Sequence, residues 1–597
     1  MSARLYLRSF WILTFLWGIV FVLAMVLAYF LSTVPGVIPE GMEYLIILLP
    51  VVFAFIVVGL QFLISPWIMD ITISWVYQAT KYQVDELPTH IRNFLYQQME
   101  LHNFSLKWVA IIHDNNPNAF TYGHTKKRAR MAITEGILNY LDESEQIAVV
   151  AHECGHIIHR DFIWMTVAAA IPLICYSFYQ GLWTFARVSS RSSRDDDAAK
   201  VSAIALVVAI GAWIAYYISH FLVLFLSRVR EYYADSFSAE ATGDPGALSR
   251  ALVKIAYGMV KEDAATQERM RDESASAATR KQASKVNAFN TGMRSLGIFD
   301  VSGARNLAMS AYGRGVSDLN EETVAKAAQW DLSNPWGGFL ELFSTHPLPA
   351  KRIRSLNTMQ EERGLRPEFP GIGQVKLPES LWDEFLIDLF LSYIAPLLFF
   401  ILPVIGAFIV FLVGESTGTL YDPAIGLGVG FLLFALIWKW RRHEKYPKIR
   451  DRDETVTVVH CLTDQTKNSY YEASPLRGKK AVFEGRVVGR GTPGYWLSED
   501  LVIQDKTGII TLDYSPILGF MSWIFALFRV PGLQGQRVKA YGWYHRSPTP
   551  ILSVWKIVTE DGRTYKNRWS GLNWLFMWIV IFIGLFLLIS GFAISFL

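Results

Sequence analysis

The sequence predicts a multi-pass α-helical membrane protein with a folded polar region between its helices and a small β-barrel near its C-terminus. The chain has 597 residues, of which 52% are hydrophobic and only 18% charged. This composition is too apolar for an ordinary soluble protein, and the chain is too long for one domain. A helix needs roughly 20 mostly apolar residues to cross a bilayer. The spans expected on this basis are about 9–31, 44–65, 162–183, 201–226, 388–413 and 572–597, with a shorter glycine-rich seventh at 420–438.

The distribution of Lys and Arg predicts the orientation of these spans. The loops 32–42 and 414–422 contain neither residue, whereas 66–161 and 439–450 are rich in both. Because basic loops stay in the cytoplasm, the N-terminus and all large polar regions are expected there. The loop 186–200 disagrees, since it holds three Arg and one Lys in a place predicted to lie outside.

Net charge and cysteine count exclude two classes of function. The formal net charge is only +3, which gives no indication of a nucleic-acid surface. The three cysteines, Cys154, Cys175 and Cys461, lie far apart in sequence and show no C-x-x-C spacing. A disulfide framework and a cysteine zinc finger are therefore not expected.

The segment E-Q-I-A-V-V-A-H-E-C-G-H contains the pattern H-E-x-x-H at His152, Glu153 and His156. Asp142 followed by Glu145 resembles a capping box, so the segment is expected to be a helix. Residues four apart lie on one face of a helix, and both imidazoles can then bind one zinc ion. Glu153 is offset by about 100° and can accept a proton from a zinc-bound water.

Two arrangements could supply a third zinc ligand. The metzincin extension needs a glycine and a histidine where this chain has His159 and Phe162, so it is excluded. A gluzincin takes a Glu from a later helix, and Glu231 fits that place. Asp235, one turn further on, can accept a hydrogen bond from the outer nitrogen of a zinc-bound histidine.

These motifs resemble the HtpX-like membrane zinc proteases, which are related to the CAAX prenyl-proteases. The resemblance covers about residues 1–360. It implies a zinc endopeptidase in a prokaryotic cell membrane that cleaves misfolded or damaged membrane proteins from the cytoplasmic side. The matching segments are N-A-F-T-Y-G (118–123), A-I-T-E-G-I-L-N-Y-L-D-E-S-E-Q-I-A-V-V-A-H-E-C-G-H-I-I-H-R-D (132–161), R-E-Y-Y-A-D (230–235) and N-P-W-G-G-F-L-E-L-F-S-T-H-P-L-P-A-K-R-I-R-S-L (334–356).

The resemblance also implies roles for two further segments. Asn118, Ala119 and Phe120 would belong to an edge strand that pairs with an extended polypeptide substrate. His346 would stabilise the oxyanion of the tetrahedral intermediate, and Arg352 would hold His346 or an acidic partner.

Two features lie outside this pattern. His220 falls within the fourth span, eleven residues before Glu231, and is expected on the same helix face. We expect His220 to line a polar cavity. The alternative is that it only forms a hydrogen bond with a neighbouring helix. The insert 261–285, rich in Ala, Ser, Arg and Glu, is expected to be a surface helix pair or a lid.

The C-terminal half predicts a five-stranded OB-like barrel and no nucleic-acid surface. Its expected strands are T-V-T-V-V-H-C-L, K-A-V-F-E-G-R-V-V-G-R-G, L-V-I-Q-D-K-T-G-I-I-T-L-D-Y, Q-R-V-K-A-Y-G-W-Y-H-R-S and P-I-L-S-V-W-K-I-V. The apolar segment 515–533 is expected to lie in the membrane interface or on membrane helices.

The resulting division places two membrane helices before a zinc protease domain, two after it, then the barrel and a last membrane helix. A CAAX-type prenyl-protein protease and a silent scaffold acting through its barrel remain as alternatives. The domain bounds are 1–65, 66–360 (with two spans), 361–440, 450–565 and 570–597.

Overall fold

A computed structural model provides the structure of the chain. It describes a few residues of the first apolar stretch and most of the chain beyond it, and the described residues divide into two compact units. The described residues are 12, 14, 15, 18, 19, 43–192, 196–271, 321–373, 380–417, 422–450, 453–464, 470–490, 500–514, 525–546, 550–567 and 569–595.

The first unit comprises the described residues up to Gly258 together with Glu341–Glu368. It combines long helices with one small sheet. Its helices are α1 (Glu43–Ile71), α2 (Thr89–His102), α3 (Glu135–Tyr140), α4 (Glu143–His159), α5 (Asp161–Ser192), α6 (Asp196–Thr242), the first part of α7 (Pro245–Arg271) and α10 (Pro349–Glu362). Its strands are β1 (Thr80–Tyr82), β2 (Leu106–Ile112), β3 (Ala119–Tyr122) and β4 (Ala129–Thr134).

The four strands form a sheet in the order β1-β2-β4-β3, so β3 lies at its edge. β2 and β4 run parallel, while β1 and β3 are antiparallel to their neighbours. β4 is buried along its whole length, as expected for a strand that is paired on both sides. The sheet thereby presents one free strand edge next to α4.

The second unit contains the described residues from Met259 to Leu340 and Phe369–Leu597. Its helices are α8 (Glu321–Ser333), α9 (Pro335–Glu341, whose last residue belongs to the first unit), α11 (Trp382–Leu389), α12 (Leu398–Thr417), α13 (Ala424–Lys445), α14 (Val458–Thr463), α15 (Val530–Leu533) and α16 (Trp569–Ser595). Its strands are β5 (Lys479–Arg490), β6 (Leu501–Gln504), β7 (Ile509–Asp513), β8 (Arg537–His545), β9 (Ile551–Thr559) and β10 (Thr564–Lys566).

Five of these strands close into a barrel. β5 pairs with β6 and β8, β6 with β7, β7 with β9, and β9 returns to β8. Only the β7–β9 pair is parallel. Closure removes the open sheet edges, and the interior is filled by buried side chains such as Phe483, Ile510, Leu512 and Leu552.

The predicted number of barrel strands is confirmed, but two of the predicted strands are wrong. T-V-T-V-V-H-C-L contains the helix α14, because the Thr457 side chain and the Asp505 carboxylate accept hydrogen bonds from the backbone N–H groups of its first turn. The expected single strand 501–514 is a hairpin. Its turn is fixed by Asp505, whose carboxylate accepts hydrogen bonds from the N–H groups of Thr507 and Gly508.

Among the described residues, five helices are long and apolar enough to cross a membrane: Asp161–Arg187, Ala199–Thr242, Leu398–Thr417, Ala424–Lys445 and Trp574–Ser595. They correspond to five of the seven predicted spans. The predicted span 44–65 lies within α1, which is not among the five, and most of 9–31 lies outside the described residues.

The largest difference at the start of a predicted span concerns the fifth span. The span expected at 388–413 begins at Leu398, after a π-helical turn at Phe390–Ile394. Pro396 has no N–H to donate, which explains the interruption. Residues 272–320 and 515–524 lie outside the described part of the chain, and with them most of the predicted insert and half of the segment 515–533.

Candidate metal centre

The helix α4 carries the H-E-x-x-H residues and begins at the expected capping box. The carboxylate of Asp142 accepts a hydrogen bond from the Glu145 N–H at 3.0 Å, and the Glu145 carboxylate accepts one from the Asp142 N–H at 3.0 Å. Gly155 allows α4 to approach α6 closely, because a Cβ at this position would lie 3.0 Å from the Cα of Ala234. This close packing brings the motif of α4 next to the R-E-Y-Y-A-D segment of α6.

Three side chains from α4 and α6 converge on one point. The Nε2 atoms of His152 and His156 lie 3.1 Å apart, and carboxylate oxygens of Glu231 lie 3.5 and 3.6 Å from these two nitrogens. A tetrahedral ion with bonds of about 2.05 Å would hold its ligand atoms about 3.3 Å apart, so these spacings fit such an ion. Within the described residues, no other group of three His, Cys, Asp or Glu side chains can hold a metal ion.

A buried carboxylate and a buried guanidinium lie behind His152. Nδ1 of His152 lies 3.0 Å from Asp235 Oδ1. Arg352 in turn donates from Nε to Asp235 Oδ2 at 2.9 Å and from Nη2 to Oδ1 at 2.6 Å. Of the two partners proposed for Arg352 from the sequence, His346 or an acidic group, the structure shows the acidic one.

The other histidine has an equivalent pair that sequence reasoning missed. Nδ1 of His156 lies 2.6 Å from Asp161 Oδ2, and Asp161 is bound on its other side by Arg230. Arg230 also donates to the His159 carbonyl at 2.9 Å. Burial lowers the pKa of His156, but the hydrogen bond to Asp161 and nearby negative charges outweigh it and raise that pKa to about 9.

The position of Asp161 depends on a turn at the end of α4. Arg160 adopts a left-handed conformation with φ of 57°, which ends α4 and redirects the chain into α5. Asp161 is thereby placed beside the helix it follows. The sequence contained one signal for this contact, an acidic residue directly after the helix that carries the motif.

Glu153 lies between the histidines and the edge strand. It is only 3% exposed, and burial raises its pKa. The Thr121 hydroxyl of β3 is close enough to this carboxylate to lower its pKa slightly against the effect of burial. The predicted base is therefore in contact with the strand that was predicted to bind substrate.

The segment Asn118–Phe120 enters this edge strand as expected. Asn118 is joined to β4 through Thr134, whose hydroxyl accepts a hydrogen bond from the Asn118 N–H at 2.8 Å and whose N–H donates to the Asn118 carbonyl at 2.9 Å. The side chains of Ala119 and Phe120 are buried. The side-chain oxygen of Asn118 is buried and has no hydrogen-bond partner among the described residues.

His346 lies at the same centre, in the loop that precedes α10. Its Nε2 is 3.6 Å from Glu231 Oε1, and its Nδ1 is 3.0 Å from the Thr345 hydroxyl. Arg228 on α6 fixes this loop by donating to the carbonyls of Glu341 at 2.8 Å and Ser344 at 2.7 Å. No sequence pattern indicated Arg228, because its partners are backbone atoms more than 100 residues away.

His220 lies on α6 as predicted, but its ring is exposed and lies beside those of Tyr216 and Phe221, with centroids 6.0 and 6.1 Å away.

Comparison with known proteins agrees with this geometry. Residues 86–360 match the model of Peptidase family M48. The chain is 36% identical to the protease HtpX homologue of Methanothermobacter thermautotrophicus over 252 residues, which are 42% of this chain and 86% of that protein. It is 30% identical to the protease HtpX homologue of Aeropyrum pernix over 258 residues, 43% of this chain and 70% of that protein.

The crystal structure of S. mikatae Ste24p is also similar, with 13% identity over 60% of this chain and 67% of that chain. Its TM-score of 0.30 is too low to indicate a shared fold. The sequence matches to the HtpX homologues cover most of those proteins, and the chain has the apolar helices of a membrane protein. The chain belongs to the HtpX-like membrane metallopeptidases of peptidase family M48.

Proposed function

We propose that the chain is a zinc endopeptidase that binds one Zn²⁺ through His152, His156 and Glu231. The observation that carries this proposal is the convergence of two Nε2 atoms and one carboxylate at tetrahedral spacing. Two imidazoles and a carboxylate with one position left for water is a set typical of catalytic zinc. The donor types favour zinc over magnesium or calcium, which prefer oxygen ligands alone.

Each residue around the metal would have its own role in peptide hydrolysis. Zinc held by His152, His156 and Glu231 would supply a Lewis acid for the scissile carbonyl and for a water molecule. Glu153 would accept a proton from the attacking water and return it to the leaving amine. Its burial suits this task, because a raised pKa makes the carboxylate a better proton acceptor. His346 donates to the oxyanion of the tetrahedral intermediate.

Two Asp–Arg pairs fix the histidines. Asp235 with Arg352 orients His152, and Asp161 with Arg230 orients His156. A histidine whose Nδ1–H is held in this way presents Nε2 as the ligand atom.

The substrate would bind as an extra strand along β3. The outer backbone groups of Ala119 and Phe120 would pair with the polypeptide, and the buried side-chain oxygen of Asn118 offers a further acceptor. Because Thr121 on this strand lies near Glu153, a peptide paired with β3 would lie beside the base.

The substrates would be misfolded or damaged membrane proteins, cut at the cytoplasmic membrane surface. Supporting this, α5 begins as a membrane-compatible helix at Asp161, directly after the helix that carries the motif. The protease would comprise 66–360 and the two spans within it. The barrel at 450–565 would be an OB-like module that presents substrates or binds a partner.

The test is cleavage by the full-length chain purified in detergent and loaded with zinc. We expect it to cut an unfolded protein and a misfolded membrane protein, and we expect Glu153→Gln to cut neither. Cleavage that required a prenyl group on the substrate would instead favour a CAAX-type protease. Equal cleavage by the parent chain and the variant would refute the proposed role of Glu153.

A further inference from the structure

A group of basic side chains lies on the first unit, outside the metal centre and close to the ends of two apolar helices. The segment H-T-K-K-R (124–128) follows β3, and its turn is fixed to the start of β2. The Ser105 N–H donates to the Lys126 carbonyl at 3.0 Å, and the Ser105 hydroxyl donates to the Lys127 carbonyl at 2.7 Å. We call Lys81, Lys107, Lys126, Lys127, Arg128 and Arg160 the basic surface.

Two contacts join the segment that follows β3 to the helix α1. His124 approaches the carbonyl of Leu63 on α1 at 3.0 Å, and its ring lies 5.2 Å from that of Phe62. On the same helix, Leu60, Leu63, Ile64, Trp67 and Ile68 are 48–68% exposed, a row of apolar side chains suited to lipid. Arg160 directly precedes the membrane-compatible part of α5. The basic surface therefore lies beside the ends of two apolar helices, α1 and α5, which would place it at the level of lipid headgroups.

The cations of this surface lack acidic partners. Lys81, Lys107, Lys127, Arg128 and Arg160 are exposed, and no carboxylate of the described residues forms an ion pair with any member of the surface. Two carboxylates of the same unit are paired with other cations, Asp70 with Arg130 and Asp161 with Arg230. Burial and the charge of Arg160 lower the pKa of Lys126, as expected where like charges gather without an anion.

An aromatic ring holds two of the cations in place. The Nζ atoms of Lys81 and Lys107 lie 4.3 and 4.1 Å from the ring centroid of Trp108. Cation–π contacts of this kind restrict the two side chains. The exposed Trp67 and Trp75 lie near the end of α1, and tryptophan is enriched at membrane interfaces.

We propose that the basic surface binds the headgroups of anionic phospholipids and thereby holds the sheet of the first unit against the membrane. The occupant is specified by charge and position: the surface offers cations without partners at headgroup level, and an anionic phosphodiester supplies the opposite charge there. The proposal does not depend on zinc binding or proteolysis.

The experiment uses the full-length chain purified in mixed micelles with equal parts of phosphatidylcholine and phosphatidylglycerol. The lipids retained by each chain are identified and counted by native mass spectrometry. The test variant is Lys126→Gln/Lys127→Gln/Arg128→Gln. Arg160 is left in place because its left-handed conformation ends α4. The control variant Lys506→Gln/Lys539→Gln/Lys566→Gln removes the same charge from the barrel of the second unit.

We expect the parent and the control to retain phosphatidylglycerol in preference to phosphatidylcholine. The test variant should bind it on the order of 100-fold more weakly, since each basic residue near an anionic surface contributes about five-fold. Unchanged thermal unfolding of the test variant would show that it folds. Equal retention of phosphatidylglycerol by all three proteins, equal loss in both variants, or no preference of the parent for the anionic lipid would each overturn the proposal.

Discussion

The Asp235 carboxylate lies 3.0 Å from Nδ1 of His152, and both side chains are almost completely buried. A buried carboxylate needs a partner of opposite charge, and Arg352 supplies one with two hydrogen bonds. The orientation of one candidate metal ligand therefore depends on a guanidinium that reaches it from α10, more than 100 residues away in sequence.

We predict that Asp235→Ala weakens zinc binding by about 10- to 100-fold, because His152 loses the group that fixes its ring. Competition with a chromophoric zinc chelator measures the change. Glu240→Ala, an exposed change on the same helix α6, is the matched control and should bind zinc as the parent does. Parent-like affinity in Asp235→Ala would show that the carboxylate does not support the ligand.

The same measurement applies to Asp161, which holds His156. Asp161→Ala should weaken zinc binding by about 10- to 100-fold, and Asp161→Asn by less, because an amide oxygen still accepts the Nδ1–H bond. Arg230→Lys should lie nearer to the parent than Arg230→Met, since it keeps a positive charge beside Asp161. If neither Asp161→Asn nor Asp161→Ala weakened zinc binding, the second Asp–Arg pair would have no role at the metal.

The hydroxyl of Thr121 on the edge strand influences the carboxylate of Glu153. Thr121→Val keeps the shape of the side chain and removes the hydroxyl. We expect kcat to fall by about 10-fold, the effect of one hydrogen bond to a charged group that forms when substrate is bound. KM should change little, because the strand itself remains. Steady-state kinetics on a peptide provide the test, with the exposed Thr125→Val as control. A loss confined to KM would mean that Thr121 serves only substrate binding.

The buried side chain of His545 should make the folded second unit less stable in acid. Burial and the charge of Lys445 lower the pKa of His545 to about 3, whereas it is about 6.5 in an unfolded chain. As the pH falls, the His545 side chain therefore takes up a proton in the unfolded state before it does so in the folded state. The folded state loses stability as the pH falls from about 6.5 toward 3. By linkage the loss at pH 5 is about 2 kcal/mol.

The measurement is thermal unfolding of the full-length chain at pH 7 and pH 5. His545→Phe cannot take up this proton, so its Tm should fall less between the two pH values than that of the parent. Equal falls would show that His545 does not contribute to acid sensitivity.

The parts of the site that were predictable from sequence are those governed by local rules. The capping box at Asp142 and the i, i+4 spacing of His152 and His156 each follow from the geometry of one helix. Asp161 and Arg230 were missed because their contact depends on the left-handed turn at Arg160 and on the packing of α6. Neither leaves a periodic pattern in the sequence.

Prediction of the barrel from the sequence was limited in the same way. The alternating segment T-V-T-V-V-H-C-L has the composition of a strand, but α14 forms because Asp505, from the β6–β7 turn, accepts a hydrogen bond from the Val458 N–H. That contact joins residues 47 apart in sequence. The number of strands was still predicted correctly, since the hairpin at Asp505 contributed one strand more than expected.

The central claim is that His152, His156 and Glu231 hold the metal while Glu153 acts on the substrate. The most direct measurement is the zinc content and the cleavage activity of the same preparations of parent chain, Glu153→Gln and Glu231→Gln. We predict one zinc per chain in the parent and in Glu153→Gln, little zinc in Glu231→Gln, and cleavage by the parent alone. Retention of zinc by Glu231→Gln, or cleavage by Glu153→Gln, would contradict the account.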